Sequence, residues 1–307
     1  MSKYVLRRIL IAFPLILAVT TVVFVMLRVA LPGDPAKLMA GDRASPEQVE
    51  IIRRKLGLDR PVIEQYLIFL RNFAQGDLGR SVKFREPVLG VIVKAFPFTA
   101  KITFLSVMVG TAIGLLIGIM TAVYQRTWID NVGIVVTVFF FSIPTFWLGL
   151  MLILIFAVGL RVLPVQGASS WRHFIMPVAT LAVGQSALIA RLTRSSMIEV
   201  LSTDYVRTAR SKGLAPRRVL ASHALQNTLI PVITVVGLSV GGLLGGAVIT
   251  ESIFGLPGVG RLAIDAISNR DYPMIQGTVI LVAASFVFVN LIVDIIYAFV
   301  DPRIRYE

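Results

Sequence analysis

Six runs without a charged side chain constrain this chain more than any other feature: residues 9–27, 102–123, 132–160, 174–190, 224–250 and 274–293, each 17 to 29 residues long. A helix rises about 1.5 Å per residue, so about 20 apolar residues cross the ~30 Å hydrocarbon layer of a bilayer. In lipid the backbone must satisfy its own hydrogen bonds, which a helix does within one segment. The expected fold class is an all-α integral membrane protein with six transmembrane helices and both termini on one side of the membrane.

Basic residues choose that side. Lys3, Arg7 and Arg8 precede the first run, Arg126 lies between the second and third, and residues 191–218 carry seven basic residues against two acids. The excess of Lys and Arg marks these segments and both termini as cytoplasmic. The connections 161–173 and 251–271 are less basic or nearly balanced. A basic flank followed by an apolar run also opens a secretory signal, but 9–27 exceeds a usual cleavable core and reads as a retained first span.

Composition enters as a set of exclusions. A hydrophobic content of 56% and a mean hydropathy of +0.82 exclude an ordinary soluble domain. The net charge of +13 suggests nucleic acid at first sight, yet basic residues flanking apolar spans serve topology and anionic headgroups. No nucleic-acid partner is expected. With no cysteine and two distant histidines there is no metal motif.

One long polar interval interrupts the second half, residues 199–231, EVLSTDYVRTARSKGLAPRRVLASHALQNTLIP. Asp204 is suited to cap a helix, residues 205–212 are helix-compatible, and Gly213 supplies a left-handed stop. Pro216 opens a second helix through 217–225, with Val219, Leu220, Ala224 and Leu225 as its apolar set. The result is a helix, a glycine turn and a helix at a membrane face. Charge pattern alone reads it equally well as a solvated loop.

The residues Tyr205-Val-Arg207-Thr208-Ala209-Arg-Ser-Lys212-Gly213-Leu214 resemble the coupling loop of ATP-binding-cassette importer permeases, where an E-A-A-x-x-x-G core docks on the ATPase subunit. The form is similar to the dipeptide, oligopeptide and nickel subfamily. Arg207 replaces the family's glutamate, and Gln226 stands where many members have proline. His223-Ala-Leu225 and Pro231 match the later part of the motif. The resemblance extends to 31–35 (LPGDP), 76–79 (GDLG), 250–260 (TESIFGLPGVG), 269–272 (NRDY) and 301–306 (DPRIRY), and so covers nearly the whole chain.

The chain divides into residues 1–31, a tail and first span; 32–99, an extracytoplasmic helical loop; and 100–307, a five-helix core that includes the loop 195–228. In the second unit, Ser45 caps, Pro46 opens and Gly57 closes a helix with Val49, Ile52 and Leu56 on one face. A further helix from Pro61 presents Tyr66, Phe69, Leu70 and Phe73. Such a unit covers the membrane face of its own chain, and the resemblance adds a contact surface for an external substrate-binding protein.

Within the spans, Ser142-Ile-Pro144-Thr145 interrupts the third and frees backbone groups that need protein or water. Ser142, Pro144, Thr145 and Gln185 are the candidates for a translocation path, with helix packing as the equal alternative for the proline. Gly237, Gly241, Gly242, Gly245 and Gly246 give overlapping G-x-x-x-G pairs suited to close helix packing, against a second permease subunit if the resemblance holds. Ionisable residues in the spans are Arg28 and Asp294. A structural pairing of Asp294 with the basic terminus or Arg191 is favoured over a proton relay, which needs further acids.

Three classes of function fit six spans: the membrane subunit of an ATP-driven importer, a self-contained secondary transporter, and a membrane anchor. No G-x-x-x-x-G-K-[ST] loop is present, so this chain is not expected to hydrolyse ATP. Repeated broken spans and intramembrane charges, the marks of a secondary transporter, are not evident. An anchor requires no docking hairpin.

The resemblance implies the type I importer permease fold with a cytoplasmic coupling-helix hairpin, in the inner membrane of a prokaryote. It implies a second homologous permease, two cytoplasmic ATP-binding subunits that hold ATP and Mg, and an extracytoplasmic binding protein. Asp204, Tyr205, Arg207, Thr208, Ala209, Lys212, Gly213 and Leu214 would form the coupling element, and none of them is catalytic. The implied cargo is a dipeptide, an oligopeptide, glutathione or chelated nickel.

Overall fold

The computed structural model describes residues 2–27, 35–40, 44–55 and 57–300. Arg28, residues 31–34 and 301–306, Leu56 and the side chain of Asp294 lie outside the described residues. The helices in order are α1 (Ser2–Val25), α2 (Pro35–Ala40), α3 (Pro46–Lys55), α4 (Val62–Ala74), α5 (Val88–Val123), α6 (Trp128–Ser142) and α7 (Thr145–Leu152). There follow α8 (Ile175–Leu201), α9 (Asp204–Ser211), α10 (Pro216–Val219), α11 (Leu225–Gly246), α12 (Val248–Ile253), α13 (Val259–Ser268) and α14 (Tyr272–Val300). Among the described residues there is no strand, only an isolated bridge between Arg80 and Pro87.

Four helical stretches are long and apolar enough to cross a bilayer alone: Val88–Val123, Trp171–Leu201, Pro216–Leu244 and Tyr272–Val293. A fifth, Trp128–Ser142 with Thr145–Gly159, is bent by 95° at the expected interruption. Ile143 precedes a proline and is pushed to extended backbone (φ −75°, ψ 124°), which ends α6. The first run appears as the shorter apolar helix Leu10–Val25, so five full spans are counted when the bent pair is taken as one. The expectation of six agrees in position for these five; the first run is described as Leu10–Val25, the apolar part of the 24-residue α1.

The central pair is α5 with α8. Gly110, Gly114 and Gly118 form a ladder on α5, and a Cβ on Gly114 would lie 2.7 Å from both the Ile189 Cβ and the Ser186 carbonyl. On Gly118 it would lie 2.6 Å from the Thr193 Cβ. Where apolar solvent removes most of the hydrophobic drive between helices, this close backbone approach is what packing rests on. Sequence reasoning singled out the glycines of the fifth span and passed over this ladder, although its G-x-x-x-G spacing is the same.

In the unit before α5, Ser45 Oγ accepts from the Gln48 amide N–H while the Gln48 side chain accepts from the Ser45 N–H, a reciprocal cap on α3. Gly57 closes that helix at φ 65°. The aromatic face of α4 turns onto α1: Phe24 lies 5.3 Å from Tyr66 and 5.5 Å from Phe69, and the Tyr66 hydroxyl meets Thr21 Oγ1 at 2.6 Å. The covering role is therefore what this face of α4 performs. α5 is continuous from Val88, so the division placed at 99/100 falls inside one helix.

Candidate functional site

α5, running about 50 Å, separates two ends of the molecule. Its last turn meets residues 201–220, and its first turns meet 251–274.

At the first end, α9 starts at Asp204, but Asp204 does not cap it. Thr203 holds the cap position, and the Asp204 carboxylate lies in the first turn, 3.3 Å from Arg207 Nη1. Both side chains are exposed, so that pair adds little. The other end of α9 is closed tightly. Gly213 adopts φ 78°, its N–H donates to the Arg210 carbonyl at 2.9 Å, and the Leu214 N–H reaches back to Ala209 at 3.4 Å. That pair of bonds is a Schellman closure, which needs the left-handed residue between them. Val206 and Ala209 are buried against Val219, with Leu214 packed beside them.

The second arm differs from the separate helix expected of 217–225. α10 passes through a π segment, Leu220–Ala224, straight into α11. The hairpin's second arm is thus the foot of a membrane span. The Asn227 amide donates to the Tyr205 hydroxyl at 2.9 Å and ties α9 to that span directly. Arg207, Thr208, Arg210, Ser211 and Lys212 remain exposed. A short amphipathic helix is therefore held by its apolar face and shows a basic outer one.

The four path candidates are not brought together. Ser142, Pro144 and Thr145 are exposed at the α6–α7 bend, with Ser142 Oγ donating to the Val138 carbonyl. Gln185 is buried between α8 and α5, where a Cβ on Gly110 would stand 2.9 Å from its own Cβ, so it does not line the surface that carries the bend. Among the glycines of α11, a Cβ on Gly237 would lie 2.2 Å from Val293 Cγ2, and one on Gly241 2.7 Å from Phe286 Cδ2. Those two pack on α14 of the same chain and not on a second subunit. Gly242 meets nothing within 4 Å, and the surroundings of Gly245 and Gly246 lie outside the described residues.

The other end contains buried charge that sequence reasoning met only as a motif. Glu251, wholly buried on α12, accepts from Thr99 Oγ1 at 2.6 Å through one oxygen and from the Arg261 N–H at 2.9 Å through the other. Thr99 Oγ1 in turn accepts from the Val259 N–H at 2.8 Å. The carboxylate thus serves the first turn of α13, where free N–H groups favour negative charge. Burial pushes the Glu251 carboxyl above the usual carboxylate range, against hydrogen bonds from Thr99, Arg261 and Gly260 that pull it down. A Cβ on Gly258 would lie 2.2 Å from the Glu251 Cδ, so the glycines of 250–260 make room for that group.

Asp271 acts similarly on α14, taking bonds from Ser81 Oγ and the Lys83 and Met274 N–H groups. Near the end where α5 stops, Asp130 at the start of α6 receives both Nε and Nη2 of Arg194 at 2.7 and 2.9 Å, and the Arg126 N–H as well. The signal for that pair was opposite charge at the edges of two neighbouring runs. No group of three or more metal-ligating side chains occurs among the described residues.

Comparison with known proteins gives this arrangement its setting. The chain is 42% identical over 307 residues, all of both chains, to the glutathione transport system permease protein GsiC of Escherichia coli K12. Its counterpart in Salmonella choleraesuis is 43% identical over the same full lengths. Among solved structures, two inward-facing crystal forms of the methionine ABC transporter MetNI share the fold: TM-scores are 0.58 and 0.61 at 20% and 19% identity, over 70% of this chain and 99% of theirs. The family model for the N-terminal part of binding-protein-dependent transport system membrane components matches residues 1–103. Residues 114–306 match the model for the inner membrane component itself, and the chain belongs to the binding-protein-dependent transport system inner membrane component family.

Proposed function

We propose that this chain is one of two permease subunits that carry glutathione, or a short peptide of similar chemistry, across the bacterial inner membrane into the cytoplasm. As an importer permease it supplies the membrane path, while two partner subunits would bind ATP and Mg and supply the energy. The observation that carries the coupling part is the exposed basic face of α9, fixed on a Schellman turn and on the foot of α11. A push on that face would move a membrane span as a lever and not bend a loop. The glutathione assignment is supported by identity to GsiC over the full length of both chains.

In this reading α9 and both termini face the cytoplasm, and residues 44–87 with 251–271 face outward to receive a binding protein. The chain has no cysteine of its own, so single cysteines replacing Ser45, Arg126 or Ser211 report sidedness. An impermeant thiol reagent on intact cells is expected to label only Ser45→Cys. Labelling of Ser211→Cys from outside would reverse the orientation. Function is tested in vesicles holding both permeases and both ATPase subunits: ATP and loaded binding protein together should drive glutathione uptake. Uptake of dipeptides but not glutathione would leave the importer reading and remove the substrate.

A further inference from the structure

Arg191, within the α8 span, makes no ion pair with any described residue; the side chain of Asp294, one of the partners expected for it, lies outside the described residues. Its neighbour one turn on, Arg194, is neutralised by the two-pronged bond to Asp130. Arg191 instead lies over the ring of Phe141, with Cζ 5.3 Å from the centroid, and is exposed on the chain's surface. Phe141 is thirteen residues past Trp128, so the guanidinium stands about 20 Å along α6, beside the 95° bend. A cation there cannot face lipid without large cost and needs water or an anion.

The bend makes the same demand separately. Where α6 stops at Ser142 and Pro144 offers no N–H, the last carbonyls of α6 lack helical partners and also require water or protein. Two unlike features near the end of α6 therefore each call for a polar partner, water, an anion or protein, in place of lipid. A cleft of about 200 Å³ runs from Arg191 toward the start of α6, lined among others by Thr121, Gly133, Thr137, Val138, Arg194 and Ser195.

We infer that Arg191 receives a carboxylate of the transported solute as it passes the α6–α7 bend, which makes a carboxylate a feature selected by the membrane path itself. This rests on the importer reading above. A guanidinium whose aromatic neighbour accepts no hydrogen bond through its edge keeps N–H groups free, and a free pair of them matches a carboxylate through two parallel bonds. Phe141 lies beside the group, and Ser195 adds a hydroxyl to the cleft, the Thr137 hydroxyl being donated to the Gly133 carbonyl.

The test uses Arg191→Cys in the assembled complex, with reactive cysteines of the partner subunits replaced. S-methylglutathione serves as the cargo because it has no thiol to reverse the labelling. Arg191→Cys is expected to lower uptake about tenfold, the cost of one charge-assisted pair, while the binding protein still stimulates ATP hydrolysis. Aminoethyl methanethiosulfonate, which restores a cation, should recover most of that loss; the uncharged methyl reagent should not.

Unchanged uptake in Arg191→Cys, failure of the aqueous reagent to modify its thiol, or equal rescue by the uncharged reagent would each overturn the assignment. If the unsubstituted complex carries neither glutathione nor S-methylglutathione, the substrate reading fails by itself. The same comparison is then made with a dipeptide and its C-terminal amide, and equal uptake of the two would overturn the carboxylate site.

Discussion

The two ends of the molecule are built from the same materials and use them in opposite ways. Each has a turn with a left-handed glycine, a short amphipathic helix and charged side chains beside a membrane span. At the α12–α13 end the charge points inward: Glu251 is wholly buried, its oxygens are taken by Thr99 and the first turn of α13, and Gly258 exists to leave it space. At the α9–α10 end the glycine shapes the backbone alone, since a Cβ on Gly213 would meet nothing within 4 Å, and the charges point outward. A buried network fixes its own chain, whereas an exposed charged face on a rigid mount is free for another chain. Similar motif content thus divides into internal wiring and a presented surface, and burial tells them apart.

The largest effect expected from this contrast is at Gly258. Gly258→Val would drive a side chain into the Glu251 carboxylate and cost about 3 kcal/mol, at the upper end for overpacking a filled site. It should lower the yield and melting temperature of the detergent-solubilised protein far more than Gly213→Val does. Equal losses from the two would erase the distinction between the ends.

Next comes the charge itself. Because the folded chain holds the Glu251 carboxyl above its unfolded value, the folded state binds its proton more tightly. Stability should then fall as pH rises from the ordinary carboxylate value through the raised folded one. Glu251→Gln should flatten that stretch of the melting-temperature profile at a cost of about 1 kcal/mol in hydrogen bonding, and Glu251→Ala, which strands the N–H groups of α13, about 3 kcal/mol. An unchanged pH profile in Glu251→Gln would assign the dependence to another group.

Gly213 should act on function and hardly on folding. A β-branched residue at φ 78° carries about 1 to 3 kcal/mol of strain, a small fraction of what the spans bury. Gly213→Val is expected to insert and assemble yet lose binding-protein-stimulated ATP hydrolysis together with uptake. Asparagine enters left-handed backbone more readily than other residues with a Cβ, so Gly213→Asn should retain most of both. Normal coupling in Gly213→Val would mean that this turn does not transmit motion.

What could be read from the sequence follows a physical divide. Charge-free runs are a property of the chain in one dimension, and α5, α8, α11 and α14 lie where those runs do. The bend at Pro144 and the stop at Gly213 were equally legible, because proline and left-handed glycine act on their own backbone. Partners across space were not. The spacing of Gly237 and Gly241 says that a helix can come close but not which, and α14 of the same chain supplies it. Gln185 looked like a polar lining group and faces Gly110 inside the central pair. Glu251 stood at the edge of a run, where an acid is usually solvated, and only the fold brings Thr99 and α13 over it.

The smallest expected effect is at Tyr205, and it separates the hairpin's mount from its face. Tyr205→Phe keeps the ring and removes the hydroxyl that accepts from Asn227. The site is half exposed, water replaces the bond, and about 0.5 to 1 kcal/mol is lost. α9 remains fixed by Val206 and Ala209 against Val219, so melting temperature and assembly should barely change. If the tie to α11 helps pass motion from α9 into the span, uptake per ATP hydrolysed should fall modestly while ATPase affinity stays constant. A drop in affinity with an unchanged uptake ratio would place the Tyr205 hydroxyl on the docking face, and the mount would then consist of the apolar contacts alone.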